Sequence, residues 1–180
     1  MTATEHESTL TPANQNTEQS EVLWFVAHTR PRCEKKLVEF CEREGFQTTL
    51  PLYKSVKKYR GKTMTFHKPL FPGYVFLRLV QEQSRKVYQS DYVANLLDVV
   101  DQQLFQQQLG DILEALETQY EIFLAPQIIT GSRVKIKSGP LRGMEGFVEN
   151  RTGMTLVQLR LDFIGQAAAV KMEATELELI

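Results

Sequence analysis

An α+β domain followed by a small β-barrel is the fold class predicted here, on three observations. Through residues 21–118, helical apolar stripes are mixed with hairpin-linked strands, a combination that favours an antiparallel sheet covered by helices. From Gly131 the texture changes. Val134 and Ile136 alternate with Arg133, Lys135 and Lys137, and turns follow at Ser138-Gly139-Pro140, Arg151-Thr152-Gly153 and Gly165. Short strands between such turns point to a small barrel. Finally, 180 residues with 42% hydrophobic content can bury a core in one domain or in two small ones.

Residues 1–20 are rich in Thr, Gln, Glu, Asn and Ser, and read as a disordered tail. Val22 to His28 is a continuous apolar strand. Pro31 opens a helix at its first position, where its missing N–H costs nothing. Cys33, Leu37, Phe40 and Cys41 give that helix an apolar stripe, and Gly45 caps its end. Two strands, Pro51 to Tyr59 and Lys62 to Lys68, flank an Arg60-Gly61 turn and form a basic hairpin. A strand from Tyr74 to Val80 follows, then a short helix from Ser84 through Ser90 and a strand from Tyr92 to Val100. Asp101 caps the next helix, whose Phe105, Leu109, Ile112, Leu113 and Leu116 share one face. Residues 119–130 read as a linker and residues 131–180 as the barrel.

The Tyr74 to Val80 strand is unusual. Side chains alternate faces along a strand, so Val75, Leu77 and Leu79 share one face and Tyr74, Phe76 and Arg78 the other. Either both faces are covered, or an aromatic patch is held for a partner. From Gly45 to Gln81 there are seven Lys or Arg and no Asp or Glu.

Charge and chemistry exclude several classes. The net charge of −1 comes from three acids and no base in residues 1–20, +2 over 21–118 and zero over 119–180. A protein that coats long duplexes is far more basic, so any nucleic-acid contact is local. Cys33 and Cys41, eight apart on one helix, stand ~12 Å apart along its axis, beyond the roughly 7 Å a disulfide spans. They read as core thiols of a cytoplasmic protein. No apolar run reaches membrane-spanning length. His28, His67, Cys33 and Cys41 lack zinc-ligand spacing, and neither a Walker loop nor a G-x-S-x-G elbow is present. The chain therefore reads as neither an enzyme nor a metal or cofactor binder.

Three motifs carry a family resemblance. Residues 24–36, Trp-Phe-Val-Ala-His-Thr-Arg-Pro-Arg-Cys-Glu-Lys-Lys, resemble the opening of the NusG N-terminal domain. Leu70-Phe71-Pro72-Gly73-Tyr74-Val75-Phe76 is similar to that family's central Phe-Pro-Gly-Tyr strand. The run from Val134 through Ser138-Gly139-Pro140-Leu141-Arg142-Gly143-Met144-Glu145-Gly146 resembles a KOW motif. In order and at family spacing, the three cover residues 22–180. The resemblance implies an N-terminal antiparallel sheet with flanking helices, then an SH3-like KOW barrel, in a monomer.

It also implies a transcription elongation factor that binds both large subunits of RNA polymerase. In the family, an apolar patch docks on the clamp helices of the largest subunit. Phe71, Pro72, Tyr74 and Phe76 match that patch, with His28 at its edge. A turn before the short helix touches the second large subunit in the RfaH type. Gln83, Ser84 and Arg85 occupy that place without reproducing its His-Thr-Thr. Such a bridge implies modulation of pausing and termination, with antitermination the expected direction. Arg30, Arg32, Lys35 and Lys36, with Lys57, Lys58 and Arg60 on the hairpin, are expected either to contact the non-template DNA strand or to be ordinary solvated surface. Gly139, Gly143 and Gly146 serve KOW turns. Phe163 and Ile164 are either barrel core or contacts for a recruited partner, which in the family is the termination factor Rho or a small-subunit ribosomal protein. In the RfaH type the C-terminal domain can instead form a helical hairpin, but the Gly and β-branched residues of 131–180 favour the barrel. The polar N-terminal extension and residues 83–85 lean toward a specialised paralog. A ribosome-associated RNA-binding KOW protein is the alternative, against which the N-terminal domain argues.

Overall fold

The computed structural model describes residues 21–126, 131–151 and 154–180. The tail expected at 1–20 lies outside them, as do Thr152 and Gly153 of one expected turn. The N-terminal elements are β1 (Leu23–Thr29), α1 (Glu34–Arg43), β2 (Gln47–Thr49), β3 (Leu52–Tyr59), β4 (Lys62–Pro69), β5 (Tyr74–Leu79), α2 (Ser84–Tyr88), β6 (Val93–Asp98) and α3 (Gln102–Glu117). The C-terminal strands are β7 (Ile122–Pro126), β8 (Arg133–Ile136), β9 (Glu145–Arg151), β10 (Met154–Leu161), β11 (Gln166–Lys171) and β12 (Leu177–Leu179).

β2, β5, β1 and β6 form an antiparallel sheet in that order. β1 is apolar on both sides because both are covered. Phe25 and Ala27 pack with Leu37 and Cys41 of α1 and Val87 of α2, together with Val75, Leu77 and Leu79 of β5. Val26 and Phe76 pack on the other side with Phe105, Leu109 and Ile112 of α3. On the second face of β5, coverage is realised at Phe76, while Tyr74 and Arg78 stay half-buried.

Local sequence explains most of the boundaries. α1 ends as expected: the Gly45 N–H donates to the Glu42 carbonyl and the Phe46 N–H to the Cys41 carbonyl, the paired bonds of a Schellman motif. Its start departs from expectation. Pro31 lies before the helix, in a turn closed by the Cys33 N–H donating to the Arg30 carbonyl. Arg32 takes positive φ (61°) in that turn, so the helix cannot begin until Glu34. The β3–β4 hairpin turns on Arg60 (φ 48°) and Gly61 (φ 78°), the backbone signs of a two-residue type I′ turn. α3 is capped by Asp101, whose carboxylate accepts from the Leu104 N–H at 2.9 Å.

The second sheet runs β12-β8-β9-β10-β11-β7. β7 corrects the expected linker: residues 122–126 pair antiparallel with β11, from Ile122 opposite Val170 to Pro126 opposite Gln166. The Ile-Phe-Leu run at 122–124 has the residue types that strands favour. Strand β2 was also unanticipated, since its Gln-Thr-Thr carries no apolar signal. One apolar cluster passes from Phe71 and Phe76 through α3 to Val157, Leu159 and Leu161 of β10. α3 is therefore sandwiched between the two sheets.

Candidate functional site

The residues expected to form an aromatic patch fall into two groups. Phe71 is 1% exposed and Phe76 is 0% exposed. Their rings meet edge to face at 6.1 Å, and Phe105 of α3 meets Phe76 at 5.6 Å. Full burial of such side chains stabilises by roughly 1.5–3 kcal/mol each, so these two belong to the core. The surface is left to their neighbours. His28 and Pro72 are exposed and Tyr74 is half-buried. The His28 and Tyr74 rings lie 5.3 Å apart, on directly opposed residues of β1 and β5. The chain between Pro72 and Tyr74 is held in place: the Gly73 N–H donates to Glu34 Oε1 at 2.8 Å, and the Gly73 carbonyl accepts from the Thr29 N–H at 2.8 Å.

Gln83, Ser84 and Arg85 sit beyond the opposite end of β5. Gln83 closes a 3-10 turn, its Oε1 accepting from the Val80 N–H at 3.0 Å, and Ser84 begins α2. The six residues of β5 hold the two ends about 17 Å apart at ~3.4 Å per residue. Arg85 is exposed, while Gln83 and Ser84 are half-buried.

The basic residues converge on a neighbouring region. Arg30, Arg32, Lys35 and Lys36 are exposed at the start of α1, and Lys57, Lys58 and Arg60 are exposed on the hairpin. Lys35 Nζ donates to the His67 carbonyl of β4 at 3.3 Å, which joins the two sets. Arg30 also faces Asp91 at 4.0 Å. Such an exposed pair contributes little.

In the C-terminal unit, Gly139 and Gly143 take φ of 77° and 95° in the turn after β8. Gly146 lies within β9, where an added Cβ would meet Val157 Cγ1 at 2.6 Å and the Gln158 carbonyl at 2.7 Å. Phe163 and Ile164 are half-buried and pack against the shared cluster. Phe163 meets Phe105 at 6.0 Å. A row of rings thus runs Phe71–Phe76–Phe105–Phe163, joining two sets of residues expected to serve different partners.

Burial pushes the Cys41 thiol up to about 12, with Glu42 and Glu44 adding to the shift. Burial, then its bond to Glu176, raises Tyr120, whose hydroxyl donates to Glu176 Oε1 at 2.9 Å. Among the described residues, no three His, Cys, Asp or Glu gather in a way that could hold a metal ion, and no helix is long and apolar enough to cross a membrane.

Residues 23–109 match the model of the NusG family, described as transcription termination factor nusG. These residues form a NusG-family domain. The match spans β1 through the first half of α3, and so contains the His28–Tyr74 edge, the basic region and residues 83–85. No curated protein matches the chain. The NusG-family domain makes this a transcription elongation or termination factor in general terms, one that works with RNA polymerase.

Sequence reasoning missed the role of Phe105. It was expected on a buried face, but nothing in the sequence signals that it touches three aromatic partners from distant segments, Trp24 at 5.7 Å among them. It also missed Asp91, whose positive φ (60°) places it opposite Arg30.

Proposed function

We propose that this protein is a transcription elongation factor that docks on the polymerase clamp through the edge formed by His28, Pro72 and Tyr74. The observation that carries this is the His28–Tyr74 ring pair, at 5.3 Å and held at the surface above a rigid aromatic core. Phe71 and Phe76 support the edge from beneath. Gln83, Ser84 and Arg85, at the far end of the same strand, contact the second large subunit. One rigid strand then spans two sites on opposite sides of the polymerase cleft.

A factor that binds the closed clamp better than the open one shifts the population toward the closed state. Pausing requires clamp movement, so the bridge shortens pauses and favours antitermination. Arg30, Arg32, Lys35, Lys36, Lys57, Lys58 and Arg60 contact phosphates of the non-template strand, which position without reading sequence. The C-terminal unit, read as an SH3-like KOW module, recruits Rho or a small-subunit ribosomal protein through Phe163 and Ile164. All of this takes place in the cytoplasm.

The test is retention of core RNA polymerase by the full chain, followed by pause durations on a paused template. His28→Ala/Tyr74→Ala is expected to lose polymerase while keeping the fold. Phe71→Ala and Phe76→Ala are unsuitable, because each costs about 3–5 kcal/mol of core stability. Undiminished retention by the surface variant would remove this edge as the docking surface. Lengthened pauses with the wild-type chain would reverse the proposed sign.

A further inference from the structure

One face of the β3–β4 hairpin has a composition that neither the fold nor the docking edge accounts for. In the strand register, Tyr53 opposes Lys68, Ser55 opposes Phe66, Lys57 opposes Met64 and Tyr59 opposes Lys62. Opposed residues lie on the same side of a sheet, and alternate pairs share a face. These four pairs therefore form one face. The other carries Lys54, Val56, Lys58, Thr63, Thr65 and His67.

Tyr59, Met64 and Phe66 are 63%, 48% and 41% exposed. Only Tyr53, at the root, packs against the shared core. Two rings and a thioether stand in solvent beside Lys57, Lys62 and Lys68, on a hairpin with six Lys or Arg and no acid from Leu52 to Pro69. An acid-free hairpin cannot neutralise its own cations. It presents a positive field with flat apolar surfaces set inside it.

We propose that this face binds single-stranded nucleic acid, with bases stacked on Tyr59 and Phe66 and phosphates held by Lys57, Lys62, Lys68 and Arg60. The proposal deepens the reading of the basic region as a nucleic-acid contact, and rests on it for location only. Rings within a cationic groove suit single strands because every base offers a π-face. In a duplex those faces are covered by neighbouring bases. The Arg60 guanidinium already lies 5.5 Å from the Tyr59 ring centroid, and such planes also stack on bases. Phe66 and Tyr59 are two cross-strand steps apart, roughly 14 Å at ~3.4 Å per residue, so a strand crossing both rings passes the Lys57–Met64 pair between them. A protein partner for the same face would need an acidic surface and would not need unstacked rings.

The test uses the full chain and a fluorescein-labelled oligothymidylate, read by anisotropy without polymerase. Tyr59→Ala and Phe66→Ala are each expected to weaken binding about fivefold or more. Val56→Ala, on the opposite face, is expected to leave it unchanged. All three positions are exposed, and circular dichroism checks that the variants fold. With four cations engaged, the logarithm of affinity falls with that of salt at a slope of about −2.8. A duplex of the same length is expected to bind without sensitivity to either ring. Ring variants that bind oligothymidylate like wild type overturn the proposal, as does an equal loss from Val56→Ala. Polymerase retention is measured on the same variants. Loss of retention with oligothymidylate binding unchanged by ring removal would assign the face to protein and overturn the proposal. Oligothymidylate binding lost on ring removal in a chain that never retains polymerase would uphold the proposal and sink the docking assignment.

Discussion

The contact between Phe105 and Phe163 yields a quantitative prediction about how the two sheets are coupled. Phe105 is 2% exposed and meets Trp24, Phe76 and Phe163 at 5.7, 5.6 and 6.0 Å. Phe105→Ala removes a buried ring and leaves a cavity, a loss of about 3–5 kcal/mol. At about 2–4 °C per kcal/mol for a chain of this size, the melting temperature falls by about 10 °C. Phe163 is half-buried, so Phe163→Ala costs about 1–2 kcal/mol. Because the rings touch, the double variant should lose less than the sum, by the about 0.5–1.5 kcal/mol of an aromatic pair. Urea unfolding followed by Trp24 fluorescence measures the cycle, since the chain has one Trp and its ring is a direct neighbour of Phe105. Losses that add to within about 0.3 kcal/mol would show that the C-terminal sheet does not rest on α3 in solution.

Four further outcomes follow from single sites. Asp101→Ala removes the cap on the Leu104 N–H and should cost about 1 kcal/mol, read as a small fall in melting temperature. Gly146→Ala drives a Cβ against Val157 and the Gln158 carbonyl, and overpacking of this kind costs about 1–3 kcal/mol in denaturant titration. Arg32→Gly relieves positive φ at a non-glycine residue and should stabilise by about 1 kcal/mol, read as a small rise in melting temperature. The Cys41 thiol is raised from 9.0 to about 12. Its stabilising contribution is therefore fully present below pH 9 and is lost as pH rises toward 12. Stability measured against Cys41→Ala should converge over that window, and at pH 8 an alkylating reagent should label Cys33 well before Cys41.

Periodicity made the α+β order readable. The Asp101 cap, the Gly45 stop and the Arg60-Gly61 turn are local signals, each met within a few residues, and the Leu37–Cys41 stripe is a local pattern met by distant partners. Pro31 shows where local reading stops. Proline suits both the first position of a helix and the second position of a turn. The left-handed backbone at Arg32 decided between them. β7 escaped notice for a similar reason: its partners on β11 lie 40 to 48 residues away in sequence, from Pro126–Gln166 to Ile122–Val170, and no short window along the chain contains both strands.

The candidate site divides in the same way. The sequence by itself placed Tyr74 and Phe76 on one face of β5, marked the acid-free basic hairpin, and carried the NusG resemblance that the match over residues 23–109 bears out. Only the tertiary structure decided which aromatics lie at the surface edge and which are core. The alternation of a strand fixes which side a ring is on, but not what lies over that side. Here α3 lies over it, set down by contacts from Trp24 to Phe163. Phe71 and Phe76 therefore became packing, while His28 was left exposed and Tyr74 half-buried beside it.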